Sequence, residues 1–134
     1  MQRRDFLAFS AAAVILPAGA QAAADLLTYK PGLVKQLLAA DKTVLVDYYA
    51  SWCSTCRAQE RVVNALRDEN SAYDAQITFV RVDWDADARS PISTDYNIPR
   101  RSTLLLLRGD RELGRIVAGT RRGDIKKLLD NGLG

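Results

Sequence analysis

The sequence contains no histidine. That absence removes Ser-His-Asp hydrolysis, Cys-His proteolysis and the zinc sites of fingers, deaminases and metalloproteases that depend on an imidazole ligand. Methionine is almost missing as well, the one copy being Met1. Charge of one sign is lacking too, because 19 Lys and Arg stand against 16 Asp and Glu for a net charge of +3. So small and so interspersed an excess leaves no footprint for nucleic acid. No apolar run reaches the roughly 20 residues needed to span a bilayer. With 8 Gly and 4 Pro there is no Pro/Gly/Ser linker, and no internal repeat divides the chain. A length of 134 residues with 48% hydrophobic content suits one soluble domain around one core. What is present is a pair of cysteines, Cys53 and Cys56. The C-x-x-C spacing is a redox or soft-metal signature before it is anything else.

The first residues, Met1-Gln2-Arg3-Arg4-Asp5-Phe6-Leu7, precede a mildly apolar run from Ala8 to Ala20. Ala20-Gln21-Ala22 offers an A-x-A cleavage site. Arg3, Arg4, Phe6 and Leu7 resemble the R-R-x-F-L pattern of the bacterial twin-arginine export signal; an ordinary secretory signal or an uncleaved anchor is the alternative. Residues 1–24 are therefore expected to be an export signal and 25–134 the domain, placed in the periplasm with no stable membrane insertion once the signal is removed. Export brings the cysteines into an oxidising compartment. A two-residue gap makes a poor staple, since stabilisation grows with the loop closed, so the pair reads as reactive rather than structural.

Along the domain, Leu33, Leu37 and Leu38 recur at helical spacing and predict a short helix ending near Asp41-Lys42. Thr43 to Ala50 is an almost continuous apolar and β-branched run, the pattern of a strand buried on both faces. From Ser54 to about Asn70, Ala58, Val62 and Leu66 step by four, so a helix leaves that strand directly through the cysteine turn. Ile77–Val82 predicts a second strand, and Asp83–Tyr96 an acidic, weakly helical stretch closed by Pro99. Thr103–Leu107 and Glu112–Ala118, joined through Gly109-Asp110, predict an antiparallel hairpin. A last helix carries Ile125, Leu128 and Leu129, with Thr120 as its expected N-cap. The order is βαβ followed by ββα: an α/β fold whose mixed central sheet is flanked by helices on both faces.

Cys53 ends a strand and opens a helix, where unpaired backbone N–H groups and the helix dipole stabilise a thiolate. A lowered thiol pKa equips Cys53 to attack a disulfide, and Cys56, one turn on, to resolve the mixed disulfide. Trp52 either walls one side of the site or packs in the core, and Arg57 is expected at the surface. Asp47 is flanked by Leu45, Val46, Tyr48 and Tyr49. A carboxylate there is either buried with a raised pKa, as a group handling the Cys56 proton, or half-exposed and facing water.

The segment Val46-Asp47-Tyr48-Tyr49-Ala50-Ser51-Trp52-Cys53-Ser54-Thr55-Cys56-Arg57 resembles the V-D-F-W-A-x-W-C-x-x-C-K active-site segment of the thioredoxin family. Phe79-Val80-Arg81-Val82-Asp83, and Tyr96-Asn97-Ile98 followed by Thr103-Leu104-Leu105-Leu106-Leu107, are similar to later stretches of that family. The combination Tyr-Ala-Ser-Trp-Cys is also similar to the thioredoxin-like C-terminal domain of the transmembrane thiol:disulfide interchange protein DsbD. The resemblance covers nearly all of residues 25–134. It implies a thioredoxin-like fold and a thiol-disulfide oxidoreductase with Cys53 as nucleophile, Cys56 as resolving thiol and Asp47 as buried proton relay. Arg81 would stand near that carboxylate or be solvated. The implied partners are protein disulfides and a thiol electron donor, acting on a monomer. No cofactor is implied beyond the Cys53–Cys56 pair cycling between dithiol and disulfide.

One departure from the family concerns its cis-proline opposite the cysteines. An ungapped reading puts Ser102 there, after Arg100 and Arg101. A cis bond before a non-proline residue costs about 2.5 to 4 kcal/mol, so a trans bond is expected, unless a longer loop lets Pro99 supply the cis bond. Without the ring the thiolates are uncovered, and the two guanidinium groups either approach them or point outward. Trp52, Arg101, Ser102 and Thr103 are accordingly the candidate substrate-binding residues. Ser54-Thr55 carries neither proline nor histidine inside the turn, which favours a reductant over a strong oxidant. The competing function is a periplasmic soft-metal protein, holding copper(I) or a cluster between Cys53 and Cys56 thiolates.

Overall fold

The computed structural model describes residues 26–134; the expected export signal lies outside the described residues. Its elements are β1 (Leu27–Thr28), α1 (Leu33–Ala39), β2 (Thr43–Tyr49), α2 (Ser54–Glu69), α3 (Ser71–Gln76) and β3 (Ile77–Asp83), then α4 (Trp84–Asp87), α5 (Pro91–Thr94), β4 (Thr103–Arg108), β5 (Arg111–Val117) and α6 (Arg122–Asp130). The five strands form one sheet in the order β1-β3-β2-β4-β5. β2 lies at its centre, parallel to β3 and antiparallel to β4. The βαβ and ββα halves follow the expected order; the two-residue β1 is an addition, pairing parallel with β3 at the edge.

The uninterrupted apolar runs of β2 and β4 follow from this placement, since central strands covered on both faces have no solvent side to make polar. On one face Leu45, Phe79, Leu104 and Leu106 pack against Val63, Leu66, Ile125 and Leu129 of α2 and α6. On the other, Val46, Tyr48, Val80 and Leu105 meet Val34 of α1 and Ile92 of α5. Gly114 of β5 makes room for α6, because a Cβ there would stand 2.9 Å from Leu128 Cδ1. Gly109, at φ +59, opens the two-residue turn of the β4–β5 hairpin, the place where such turns require a left-handed residue.

Two expectations are corrected and one is extended. The helix expected from Ser54 to about Asn70 is α2, which ends at Glu69, but Asn70, extended, starts an unexpected further helix, α3, by accepting a hydrogen bond from Ala72 N–H. The buried stripe of α2 runs through Cys56, Gln59, Val63, Leu66 and Arg67 rather than through Ala58 and Val62, which are half-buried. The N-cap of α6 is Arg121, not Thr120, and no side chain caps that helix.

Candidate active site

β2 delivers the chain to the site. Beyond Tyr49, Ala50 is fully buried, Ser51 and Trp52 form an exposed turn, and α2 begins at Ser54. Cys53 is therefore the N-cap of a 16-residue helix, with extended backbone, and its Sγ accepts the N–H of Cys56 at 3.1 Å. A sulfur so placed fills the role a Ser or Asp oxygen plays at other helix starts, and it sits at the positive end of the dipole. Both cysteines are free thiols and both are buried, Cys53 at 4% exposure and Cys56 at 0%.

Ser102 completes the sulfur cluster. Its Oγ lies 3.1 Å from Cys53 Sγ and 3.1 Å from Cys56 Sγ. No peptide bond among the described residues is cis, so the Arg101–Ser102 bond is trans and Pro99 supplies no cis bond. Ser102 instead has φ +62, a left-handed conformation that is uncommon for a residue other than glycine. Three hydrogen bonds hold it there: its N–H donates to Tyr48 O (2.8 Å), and its carbonyl accepts from Gln59 Nε2 (2.9 Å) and Ala118 N (2.8 Å).

The two thiols are driven apart in acidity. Burial raises the Cys53 pKa, but hydrogen bonds from the Cys56 thiol, the Ser102 hydroxyl, the Cys56 N–H and the Arg101 side chain outweigh it and bring the thiol down to about 7. Burial raises the Cys56 pKa, and donation of its proton to Cys53 raises it further. One sulfur is thus prepared as the anion and its neighbour as the proton holder.

Trp52 is 54% exposed, so it belongs to the rim of the site and not to the core. Its indole N–H donates to both carboxylate oxygens of Asp85, at 2.9 and 3.1 Å, and the Arg101 guanidinium stacks 4.4 Å over the ring. Arg101 thus packs on the indole and its side chain also lowers the Cys53 pKa, while Arg100 bonds the backbone carbonyl of Arg101. Arg57 is exposed and donates to Ser51 O. Of the four candidate substrate-binding residues, Trp52 and Arg101 reach the surface. Ser102 and Thr103 are fully buried, and the Thr103 hydroxyl is already committed to Arg100 O at 2.8 Å. The side chain of Thr103 is not presented to a substrate.

Asp47 faces the α2 side of the sheet, lining a cavity with Glu60, Val63 and Asn64 of that helix. Its Oδ2 lies 3.6 Å from Arg81 Nη2, which also pairs with Glu60 at 3.1 Å, while Oδ1 has no hydrogen-bond partner. The Arg81 guanidinium stacks over Tyr49 at 3.8 Å and is not free in solvent. Burial pushes the Asp47 carboxyl up to about 6, Arg81 opposing and Glu60 reinforcing the rise. The carboxylate lines a small cavity of about 20 Å³ with Glu60, Asn64 and Arg81, enough volume for one water. Neither sulfur is among its direct partners.

Gln59 is the residue sequence reasoning passed over. It is 1% exposed, and its Nε2 donates to both Ser102 O and Gly119 O at 2.9 Å, tying α2 to the Ser102 loop. Its place three residues after Cys56, on the same helix face, was the available signal. Among the described residues no group of three or more His, Cys, Asp or Glu is disposed to hold a metal ion.

A family model named Thioredoxin matches residues 28–131. Among curated proteins, the chain is 28% identical over 99 residues to a thioredoxin of Chlorobaculum thiosulfatiphilum, covering 74% of this chain and 87% of that protein. It is 27% identical over 97 residues to a thioredoxin of Mycolicibacterium smegmatis, covering 72% and 84%. Among solved structures, Trxlp from Edwardsiella tarda superposes with a TM-score of 0.69 at 27% identity, over 78% of this chain and 98% of that one. Thioredoxin from Malassezia sympodialis, at 22% identity and a TM-score of 0.68 over 80% and 92%, shares the fold. With a Cys-x-x-Cys pair at the helix start and the family match spanning both halves of the sheet, the chain belongs to the thioredoxin family of thiol-disulfide oxidoreductases.

Proposed function

We propose that this chain is an exported protein-disulfide reductase in which Cys53 attacks and Cys56 resolves. The Cys53 thiolate attacks one sulfur of a substrate disulfide, forming a mixed disulfide and releasing the other substrate sulfur as a thiolate that takes up a proton from solvent. Cys56, deprotonated with Asp47 receiving the proton by way of water, then attacks the Cys53 sulfur. The Cys53–Cys56 disulfide forms and the second substrate thiol leaves. Two electrons pass from the dithiol to the substrate, and a thiol donor returns them. Trp52 and Arg101 form the surface on which the substrate segment rests.

The Cys53 sulfur carries this reading, since it is the one group at the site that is both hydrogen-bonded from several sides as an acceptor and set at a helix start. Export is supported by the Arg3-Arg4-Asp5-Phe6-Leu7 pattern, and fractionation of the tagged full chain in a bacterial host tests it. A tagged chain found wholly in the cytoplasm would remove the periplasmic assignment.

The order of the two cysteines has a direct test. A Cys56→Ser protein incubated with oxidised insulin is expected to accumulate an insulin adduct on Cys53, visible by mass spectrometry and released by reductant. An adduct formed instead by a Cys53→Ser protein, through Cys56, would reverse the assigned roles.

A further inference from the structure

We propose that the Ser102 hydroxyl is a catalytic hydrogen-bond donor that follows the negative charge of the site, bonding the Cys53 thiolate in the resting dithiol and turning to Cys56 when that sulfur becomes the thiolate. The inference rests on the disulfide-reductase reading and adds a third residue to its chemistry.

The geometry is symmetrical. Ser102 Oγ stands 3.1 Å from each sulfur, within reach of both without any heavy-atom movement. A hydroxyl carries one proton and two lone pairs, and rotation about the Cβ–Oγ bond redirects that proton at negligible cost. In the resting state the Cys56 thiol and the Ser102 hydroxyl both donate to the Cys53 thiolate, so the anion is held from two sides. Once Cys53 is engaged in a mixed disulfide its charge has passed to the departing substrate sulfur. The Ser102 proton then has no anion at Cys53 and turns to Cys56 as that thiol ionises. Ser102 gains and loses no proton over the cycle, so the two-electron balance of the exchange is unchanged.

The backbone explains why a serine serves here and a proline does not. Ser102 is 0% exposed, so water does not compete for its hydroxyl. Its φ of +62 and its N–H bond to Tyr48 O are both unavailable to proline, which is fixed near −65° and has no N–H. The bonds from Gln59 and Ala118 to the Ser102 carbonyl hold the residue in its left-handed conformation. Strain maintained by surrounding structure in this way is characteristic of functional positions.

The test uses two variants of the full chain, Ser102→Ala and Ser102→Gly. Both delete the hydroxyl, but glycine adopts φ +62 freely whereas alanine keeps the strain. With the cysteines reduced, ultraviolet titration of the thiolate is expected to give a Cys53 pKa about one unit higher in both, the scale of one hydrogen bond to a charged group. In stopped-flow reaction with dithionitrobenzoate, the mixed disulfide is expected to persist about tenfold longer in both, the same increment expressed as a rate. A pKa unmoved in whichever variant folds overturns the proposal. So does a shift confined to Ser102→Ala, which would assign the effect to backbone strain. The thiol pKa is read without any protein substrate, so failure here is separable from failure of the wild-type chain to reduce insulin, which would remove the reductase reading itself.

Discussion

Replacing Cys53 with serine is expected to abolish insulin reduction, a loss on the order of 10³-fold or more, the scale seen when a catalytic nucleophile is removed. Everything the site supplies converges on one sulfur: the Cys56 N–H at 3.1 Å, the Ser102 hydroxyl at 3.1 Å and the Arg101 side chain. A serine hydroxyl in that position remains protonated at neutral pH, and even when activated it does not exchange with a disulfide to give a stable thiol product. The substitution leaves the fold intact, since a serine oxygen is itself a favourable N-cap for α2. Circular dichroism and thermal unfolding close to those of the wild type are therefore expected alongside the lost activity. A folded Cys53→Ser protein that still reduces insulin at the wild-type rate would defeat the assignment of the nucleophile.

Replacing Asp47 with asparagine is expected to stabilise the protein at alkaline pH. The folded state raises the Asp47 carboxyl to about 6 from an ordinary 3.8, burial being the main cause. A raised carboxyl means that the fold favours the protonated form. The Asp47 contribution is therefore fully favourable below about pH 4 and is lost as pH climbs through 6, above which an ionised carboxylate with an unpartnered Oδ1 is held inside the structure. Asparagine reproduces the neutral form at every pH. The gain at pH 8 is about 2 to 3 kcal/mol from the size of that shift, or a rise in Tm of roughly 10 °C for a domain of this size. It is expected to vanish near pH 4. If Asp47 is the proton acceptor proposed above, the same variant is expected to slow the resolving step as well. Equal stability of the two proteins at pH 8 would show that Asp47 is solvated and not strained by burial.

Much of this architecture was legible in the residues, and the parts that were not have physical causes. β2 and β4 announced themselves because a strand covered on both sides has no reason to alternate. The cysteine turn was legible because strand, Trp52, Cys53 and helix follow without a loop. β1 was not, since two residues that are both exposed carry no pattern. α3 was missed because Asn70 extends the polar face of a helix as plausibly as it caps the next one. The role of Gln59 was hidden for a related reason: a glutamine on a helix reads as solvent-facing until the loop it bonds is known. For Arg81 the residues left two places open, beside Asp47 or in solvent, and the β2–β3 register decides for the first by setting the two side by side. Ser102 was marked only as a departure from proline. Its contact with both sulfurs depends on a left-handed backbone that no sequence pattern of a serine discloses.

The most direct measurement is the pH dependence of Cys53 alkylation by iodoacetamide in the reduced wild-type chain, with Cys56 replaced by serine as a control for which sulfur reacts. A helix-start thiolate held by these donors is expected to give a rate profile with its midpoint near 7. A midpoint at the roughly 8.5 of an ordinary cysteine, or a Cys53 that does not react at any pH while the fold is intact, would contradict the account.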